Sequence, residues 1–167
     1  MKFLKSFHNA GVLKLSPGIV EVISGPELVS EPSQLCNLRR LKLQLWLTRG
    51  SLCALQVLFT MAPSIESLHL SIHSNSLDKV EDWDAAGLSF STMFQHLKLI
   101  KVRGAVRCSN ELVLLESLLR NAPVLEQLIV FTCDIDSNDN QLKDFNEKIL
   151  GLPRASQSIR ISISSLS

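Results

Sequence analysis

His69 and His73 are the histidines that lie closest together in this 167-residue sequence, and a nearby pair of this kind is a typical start of a zinc site. Zinc binds each histidine nitrogen at about 2 Å. The alternating Leu and Ile residues around the pair predict a β-strand, on which positions four apart are separated by ~13 Å. We therefore predict that the two histidines do not share a metal ion.

Asp134, Asp136 and Asp139 form a short acidic segment, to which Asn138 and Asn140 add oxygen atoms. A calcium-binding loop would also need a glycine at its turn and a terminal glutamate, and neither is in place. The four cysteines lie far apart with no Cys-x-x-Cys pair, so reduced thiols are predicted rather than a zinc site or a disulfide framework. We expect no metal and no other cofactor.

Catalytic motifs are missing from the sequence, which has no G-x-S-x-G, H-E-x-x-H, G-x-x-x-x-G-K or G-x-G-x-x-G. Cys53 and Cys108 lie at or near predicted helix starts, where a thiolate is stabilised. Burial as a structural side chain is the more common role of such cysteines. We predict a protein that is not an enzyme, and an enzyme on a repeat fold is the least favoured alternative.

The densest basic run contains Lys98, Lys101, Arg103 and Arg107. It is interpreted either as a phosphate clamp or as a solvated strand end balanced by nearby glutamates. The whole chain has a formal net charge of only +1, so no nucleic-acid partner is predicted. No apolar run approaches the ~20 residues that cross a bilayer, and the N-terminus is a poor signal peptide. We expect no membrane partner and a cytoplasmic or nuclear location.

An internal repeat accounts for most of the apolar residues. The template Leu-x-x-Leu-x-Leu fits four places, whose central residues Leu41, Leu68, Leu97 and Leu128 are separated by 27, 29 and 31 residues. This period is at or just beyond that of leucine-rich repeats. A degenerate earlier copy is VLKL at 12–15. Each copy ends in the alternation that a strand with one buried face requires.

Helices are predicted between the strands, over 51–61, 109–120 and 139–150, from apolar stripes at helical spacing. Ser51 is the predicted N-cap of the first helix. Two Ala-Pro pairs, at 62–63 and 122–123, end the helices because proline excludes the preceding residue from the α conformation. The sequence therefore predicts an α/β fold: a right-handed leucine-rich-repeat solenoid with a parallel sheet on its concave face and helices on its convex face.

Three phrases resemble the FBD region of plant F-box/LRR proteins: FQHLKLIKV at 94–102 after Trp83, ELVLLESLLRNAPVLEQLIV at 111–130, and LPRASQSIRISI at 152–163. The repeat APSIESLHLSI at 62–72 resembles their leucine-rich segment. The resemblance implies a leucine-rich-repeat segment over 1–82 and irregular FBD-like C-terminal repeats over 83–167. The polar stretch 73–93 is expected to be an irregular repeat with a protruding loop.

Proteins of this family resemble substrate receptors of SCF-type ubiquitin ligases. The resemblance implies a non-catalytic protein-recognition module with a protein target. No F-box-like segment precedes the repeats in this sequence, so a Skp1-like adaptor is expected as a partner only if an F-box lies upstream in a longer chain. The alternative is a stand-alone scaffold or a truncated paralogue without a ligase role.

The residues between the template leucines are predicted to face the concave side and to form lateral rows. Alignment of the four copies places Lys42, His69, Lys98 and Ile129 in one row, with a cationic start and an apolar end. The alternative to a partner-binding surface is an ordinary solvated sheet face, with a few apolar residues covered by a loop. The predicted partner-binding residues are Arg40, Lys42, Trp46, His69, Lys98, Ile100, Ile129 and Phe131.

Overall fold

The computed structural model describes residues 2–23, 34–73, 94–105, 109–133 and 139–166. Strands and helices alternate along most of this length. The segment 74–93, with Trp83 and the predicted protruding loop, lies outside the described residues. In chain order the elements are α1 (Lys2–Lys5), β1 (Val12–Leu15), α2 (Pro17–Ile23), β2 (Arg40–Trp46), α3 (Arg49–Met61), β3 (Ser67–His73), β4 (Leu99–Ala105), α4 (Ser109–Arg120), β5 (Gln127–Cys133), α5 (Asp139–Leu150) and β6 (Arg160–Leu166).

The strands form one six-stranded sheet in the order β1-β2-β3-β4-β5-β6, and every neighbouring pair is parallel. Spatial order follows chain order because a connection between parallel strands crosses back over the sheet and adds the next strand beside the last. The prediction of an α/β protein with parallel strands is confirmed. The degenerate copy VLKL is β1.

Alternate residues of the strands point into one hydrophobic core. In β2, Leu41, Leu43 and Leu45 are buried, and the residues between them are not. The register stacks equivalent residues, so that Leu41 lies between Leu13 of β1 and Leu68 of β3. Burial of one such side chain contributes roughly 1.5–3 kcal/mol. These apolar ladders therefore supply much of the free energy of folding.

The third copy of the repeat differs in register from the prediction. The spacing placed Leu97 at the centre of this copy. In the sheet Ile100 takes that place, because it pairs with Leu68 of β3 and Leu128 of β5. The prediction was wrong by three residues. An odd shift exchanges the two faces of a strand, so it assigned core residues to the surface and surface residues to the core.

The first long helix, α3, begins after Thr48, whose hydroxyl accepts a hydrogen bond of 3.1 Å from the backbone N–H of Ser51. Ser51, the predicted N-cap, is instead inside the helix and buried. The Glu21 carboxylate accepts hydrogen bonds from the Thr48 and Ser51 hydroxyls at 2.7 and 3.0 Å. This places a negative charge at the helix N-terminus, where it is stabilising, and joins α2 to α3. At the other end Ala62 has φ −118° and ψ 66°, outside the α region, as predicted for the residue before Pro63.

The other two predicted helices have the expected bounds. Ser109 and Asn110 are the first two residues of α4. This helix buries Leu118, and α5 buries Phe145 and Ile149, in the same cluster that holds the inward strand residues. The helices therefore lie on the buried side of the sheet. No helix in the described ranges is long and apolar enough to cross a membrane.

Backbone carbonyls at the amino ends of the strands join successive units. The carbonyl of Arg39 accepts hydrogen bonds from the N–H groups of both Glu66 and Ser67, at 2.8 and 3.0 Å. The carbonyls of Glu66 and Lys98 do the same for the next two units. The side chains of these residues alternate in charge, with N–O distances of 3.4 Å for Arg39–Glu66 and 3.9 Å for Lys98–Glu126. The amino ends of the strands thus form an edge whose charges are paired.

Candidate functional site: the open face of the sheet

The strand side chains that do not point into the core form a surface that we call the open face. They are half-buried or exposed, whereas most of their neighbours in each strand are buried. Strand pairing aligns them in lateral rows with a spacing of about 4.8 Å from strand to strand. The two central rows are Lys14, Lys42, His69, Lys101, Ile129 and Ser162, and Gln44, Ser71, Arg103, Phe131 and Ser164.

Basic residues dominate the open face. Lys42, His69 and Lys101 are adjacent in one row, and Arg40 and Arg103 lie in the rows on either side. The six strands, over the ranges given above, contain no Asp or Glu. Because the whole chain has a formal net charge of only +1, the fold has gathered positive charge on this face.

His69 lies at the centre of the basic row. Burial is the main cause that lowers its pKa, and the positive charges of Lys42, Lys101 and Arg40 lower it further. Lys42 and Lys101 flank His69 on the neighbouring strands β2 and β4. Because the lowered pKa lies below the ordinary value of 6.5, the imidazole is neutral at neutral pH and offers one donor and one acceptor.

In both central rows an apolar side chain follows the basic residues, before a serine of β6. Ile129 lies beside Lys101, and Phe131 lies beside Arg103. The Lys101 Nζ atom is 5.1 Å from the centroid of the Phe131 ring, which is within the range of a cation–π contact. Cationic and apolar groups therefore adjoin directly on this part of the face.

A glycine bulge follows the basic row on β4. The pairing of β4 with β5 skips one residue after Arg103, which leaves Gly104 as the extra residue. Gly104 has a φ of 79°, in the left-handed region that favours glycine. A Cβ atom at this position would clash with the backbone carbonyl oxygen of Ile72 on β3. The close approach of β3 and β4 therefore requires glycine here.

The structure places six of the eight predicted binding residues on the open face, and two elsewhere. Ile100 is fully buried in the core because of the three-residue shift in register. Lys98 precedes β4, at the amino edge of the sheet, where it pairs with Glu126. The six that share the face are Arg40, Lys42, Trp46, His69, Ile129 and Phe131.

Two basic residues of the open face were missing from the predicted rows. Lys101 pairs with His69, in the place that was assigned to Lys98, and Arg103 pairs with Ser71 in the next row. The sequence does carry a signal for this register, because β-branched Ile100 and Val102 alternate with the two basic residues. The leucine template alone obscured it.

An open pocket of about 420 Å³ lies at the β1 end of the face. Lys14 and Gln44 of the two central rows form part of its lining. Phe7 and Ile19, which are half-buried against the core, form an apolar part. Because the core-facing leucines of β1 also line the pocket, it lies around this edge strand rather than within the open face.

The structure describes some of the histidine, cysteine and aspartate residues that were considered for metal binding or thiol chemistry. Within the described residues, no three His, Cys, Asp or Glu side chains lie close enough to hold a metal ion. His69 and His73 lie on the same strand, β3, as predicted. Cys53 is an exposed free thiol, so the prediction that it is buried was wrong. Outside the described residues are Arg107, Cys108, Asp134 and Asp136.

The fold and the open face define an α/β protein built from strand–helix repeats, with one accessible face of a parallel sheet. The chain is similar to an F-box/FBD/LRR-repeat protein of Arabidopsis thaliana, with 23% identity over 167 residues that cover 90% of this chain and 34% of that protein. It therefore spans about a third of the length of the curated relative that it matches. No protein-family model matches the chain, and no solved structure matches it.

Proposed function

We propose that this chain is a non-catalytic protein-recognition module that binds its target on the open face. The observation that carries the proposal is the continuous surface itself, on which parallel strands hold cationic, polar and apolar side chains in fixed lateral rows. The similarity to an F-box/FBD/LRR-repeat protein supports the same class of function.

The proposed module is a right-handed leucine-rich-repeat solenoid, with the open face on its concave side. Crossover connections between parallel strands are right-handed in nearly all proteins. A helix is about 10 Å wide and must fit beside strands spaced about 4.8 Å apart, which favours curvature with the helices outside. In this proposal 1–82 is the leucine-rich segment and 83–167 is FBD-like. The strands on either side of that boundary, β3 and β4, pair directly.

Such a surface suits recognition because its backbone is already ordered. Every strand from β2 to β5 is hydrogen-bonded on both sides, and its inward residues are fixed by the core. Binding then orders only side chains, which keeps the entropic cost of association low.

In a longer chain the module would take the part of the substrate-binding region of an SCF-type ubiquitin-ligase receptor. An upstream F-box, rather than the sheet, would bind the Skp1-like adaptor. A second candidate role is a stand-alone scaffold or a competitor that holds targets without delivering them to a ligase. The two roles use the same open face.

The proposal is tested by comparing what two matched double variants capture from a plant extract. Ile129→Ser with Phe131→Ser removes apolar groups from the open face. Val22→Ser with Leu150→Ser removes exposed apolar groups from helices α2 and α5, where these side chains are 67% and 50% exposed. Thermal unfolding of each variant shows that the fold is retained.

We expect the open-face variant to lose proteins that both the unmodified chain and the helix variant capture, as measured by quantitative mass spectrometry. The opposite pattern, with losses only in the helix variant, would place the binding surface on the convex side and refute the proposal.

A further inference from the structure

We propose that the open face binds an acidic polypeptide segment, with a carboxylate between Lys42 and Lys101 above His69 and an apolar side chain on Ile129 and Phe131. This inference rests on the proposed function and adds the chemistry of the partner. It follows from three features of the face: cations that form no ion pair with a described residue, the spacing of the rows and the adjoining apolar residues.

The cations of the open face differ from those elsewhere in their pairing. On the amino edge and the helices, Arg39, Lys98, Arg120 and Lys148 each lie within 4 Å of a carboxylate. Within the described part of the chain, the open-face cations have no such partner among these ion pairs; they are Lys14, Arg40, Lys42, Lys101, Arg103 and Arg160. Six positive charges are thus available to a ligand that brings negative charge.

The row spacing fits one carboxylate at the centre. Lys42 and Lys101 lie one strand to either side of His69, so their backbones are about 10 Å apart. Both side chains are long and flexible, and the Lys101 ammonium can turn from the Phe131 ring toward a group above His69, which also uncovers the ring for an apolar side chain. A neutral imidazole there can donate its N–H to the carboxylate. Burial is the main cause of the lowered pKa of His69, and the bound negative charge would offset the second cause, the repulsion from Lys42, Lys101 and Arg40.

The apolar residues fix the second contact of the ligand. Ile129 lies two strands beyond His69, again about 10 Å away. A segment in the polyproline II conformation repeats its orientation every three residues, which corresponds to about 9.3 Å. An acidic residue above His69 and an apolar residue three positions along would therefore reach both places. The predicted motif is acidic-x-x-apolar.

A peptide accounts for the face better than a nucleic acid or a lipid surface. A phosphate backbone would use the cations, but single-strand binding also uses successive aromatic side chains on which bases stack, and Phe131 is the single Phe, Tyr or Trp side chain of the two central rows. Apart from Arg160 on β6, the open-face cations lie within the four neighbouring strands β1 to β4. The charge of +1 for the whole chain gives no general attraction for polyanions.

The test uses fluorescence anisotropy of the full chain with labelled peptides. The probe has three Glu-Pro-Pro-Leu repeats, and the matched neutral peptide has Gln in place of each Glu. Lys42→Gln with Lys101→Gln removes two charges from the face. Lys143→Gln with Lys148→Gln removes two charges from α5 and serves as the control with the same net charge.

We expect the acidic peptide to bind about five- to tenfold more tightly than the neutral one at low salt, with the preference lost at roughly 0.5 M salt. The open-face variant should lose the preference, and the α5 variant should retain it. Equal binding of the two peptides, no binding of the acidic peptide up to millimolar concentration, or an equal loss in the α5 variant would overturn the inference.

Competition experiments distinguish the other classes of ligand, and comparison with the capture assay distinguishes a wrong partner chemistry from a wrong binding surface. Displacement of the acidic peptide by a polyuridine oligonucleotide or phosphatidylserine vesicles at lower concentration than by unlabelled peptide would also overturn it. If the chain does not bind the acidic peptide, but Ile129→Ser with Phe131→Ser still abolishes capture of proteins from the extract, the proposed function stands and only the partner chemistry is wrong. If both fail, the open face is not the binding surface.

Discussion

Replacement of Gly104 by alanine should destabilise the protein through a single methyl group. Gly104 has a φ of 79°, a conformation that costs a residue with a side chain on the order of 1–3 kcal/mol. The new Cβ would also clash with the carbonyl oxygen of Ile72, a backbone atom that moves only if β3 and β4 separate. The strain alone corresponds to a fall in Tm of roughly 2–12 °C for a domain of this size, and the clash adds to it.

Gly18→Ala is the matched control, because it makes the same chemical change in α2, where nothing lies within 4 Å of the added Cβ. Alanine in a helix is favoured over glycine by about 0.5–1 kcal/mol, so this variant should be unchanged or slightly more stable. Thermal and urea unfolding followed by circular dichroism measure both. If the Gly104→Ala protein is as stable as the Gly18→Ala protein, β4 has no left-handed bulge at this position. The pairing of Arg103 with Phe131, which depends on that bulge, would then be wrong.

Three further substitutions test separate features. His69→Gln should make the free energy of unfolding less sensitive to acid. Because the pKa of His69 is lowered in the folded state, the unfolded chain takes up the proton first, and the free energy of unfolding falls as the pH drops below about 6.5. Equal slopes of this free energy against pH from 7 to 5 in both proteins would contradict the prediction. Thr48→Ala removes the cap of α3 and should cost about 1 kcal/mol in urea unfolding, whereas Thr60→Ala on the exposed side of the same helix should cost less. Ser156→Ala removes a buried hydrogen bond of 2.7 Å to a backbone carbonyl and should cost about 1 kcal/mol; a loss no larger than that of exposed Ser158→Ala would refute it.

Much of the architecture was predictable because it repeats. Apolar residues at helical spacing predicted α3, α4 and α5, and an Ala-Pro pair predicted the end of each of the first two. The predicted bounds agree with the structure to within two residues. The leucine spacing predicted parallel strands in chain order. A single strand–helix unit could not bury its apolar face alone, so any repetition at this period has to stack.

The candidate site was predictable only where the register was unambiguous. The first, second and fourth copies gave Lys42, His69 and Ile129 their correct places in one row. In the third copy two overlapping matches to the template differ by three residues, and the leucine template alone did not distinguish them. The choice between them decided whether Lys98 or Lys101 lies beside His69.

The sequence by itself determined the period, the helices, the parallel order of the strands and the residues available for a surface, because these depend on the periodicity of apolar side chains. Only the tertiary structure decided the register of β4, the bulge at Gly104 and the cluster of cations around His69. Those features depend on hydrogen bonds between strands that are about thirty residues apart in the chain. A leucine template describes one strand at a time, whereas a binding row exists only across several strands.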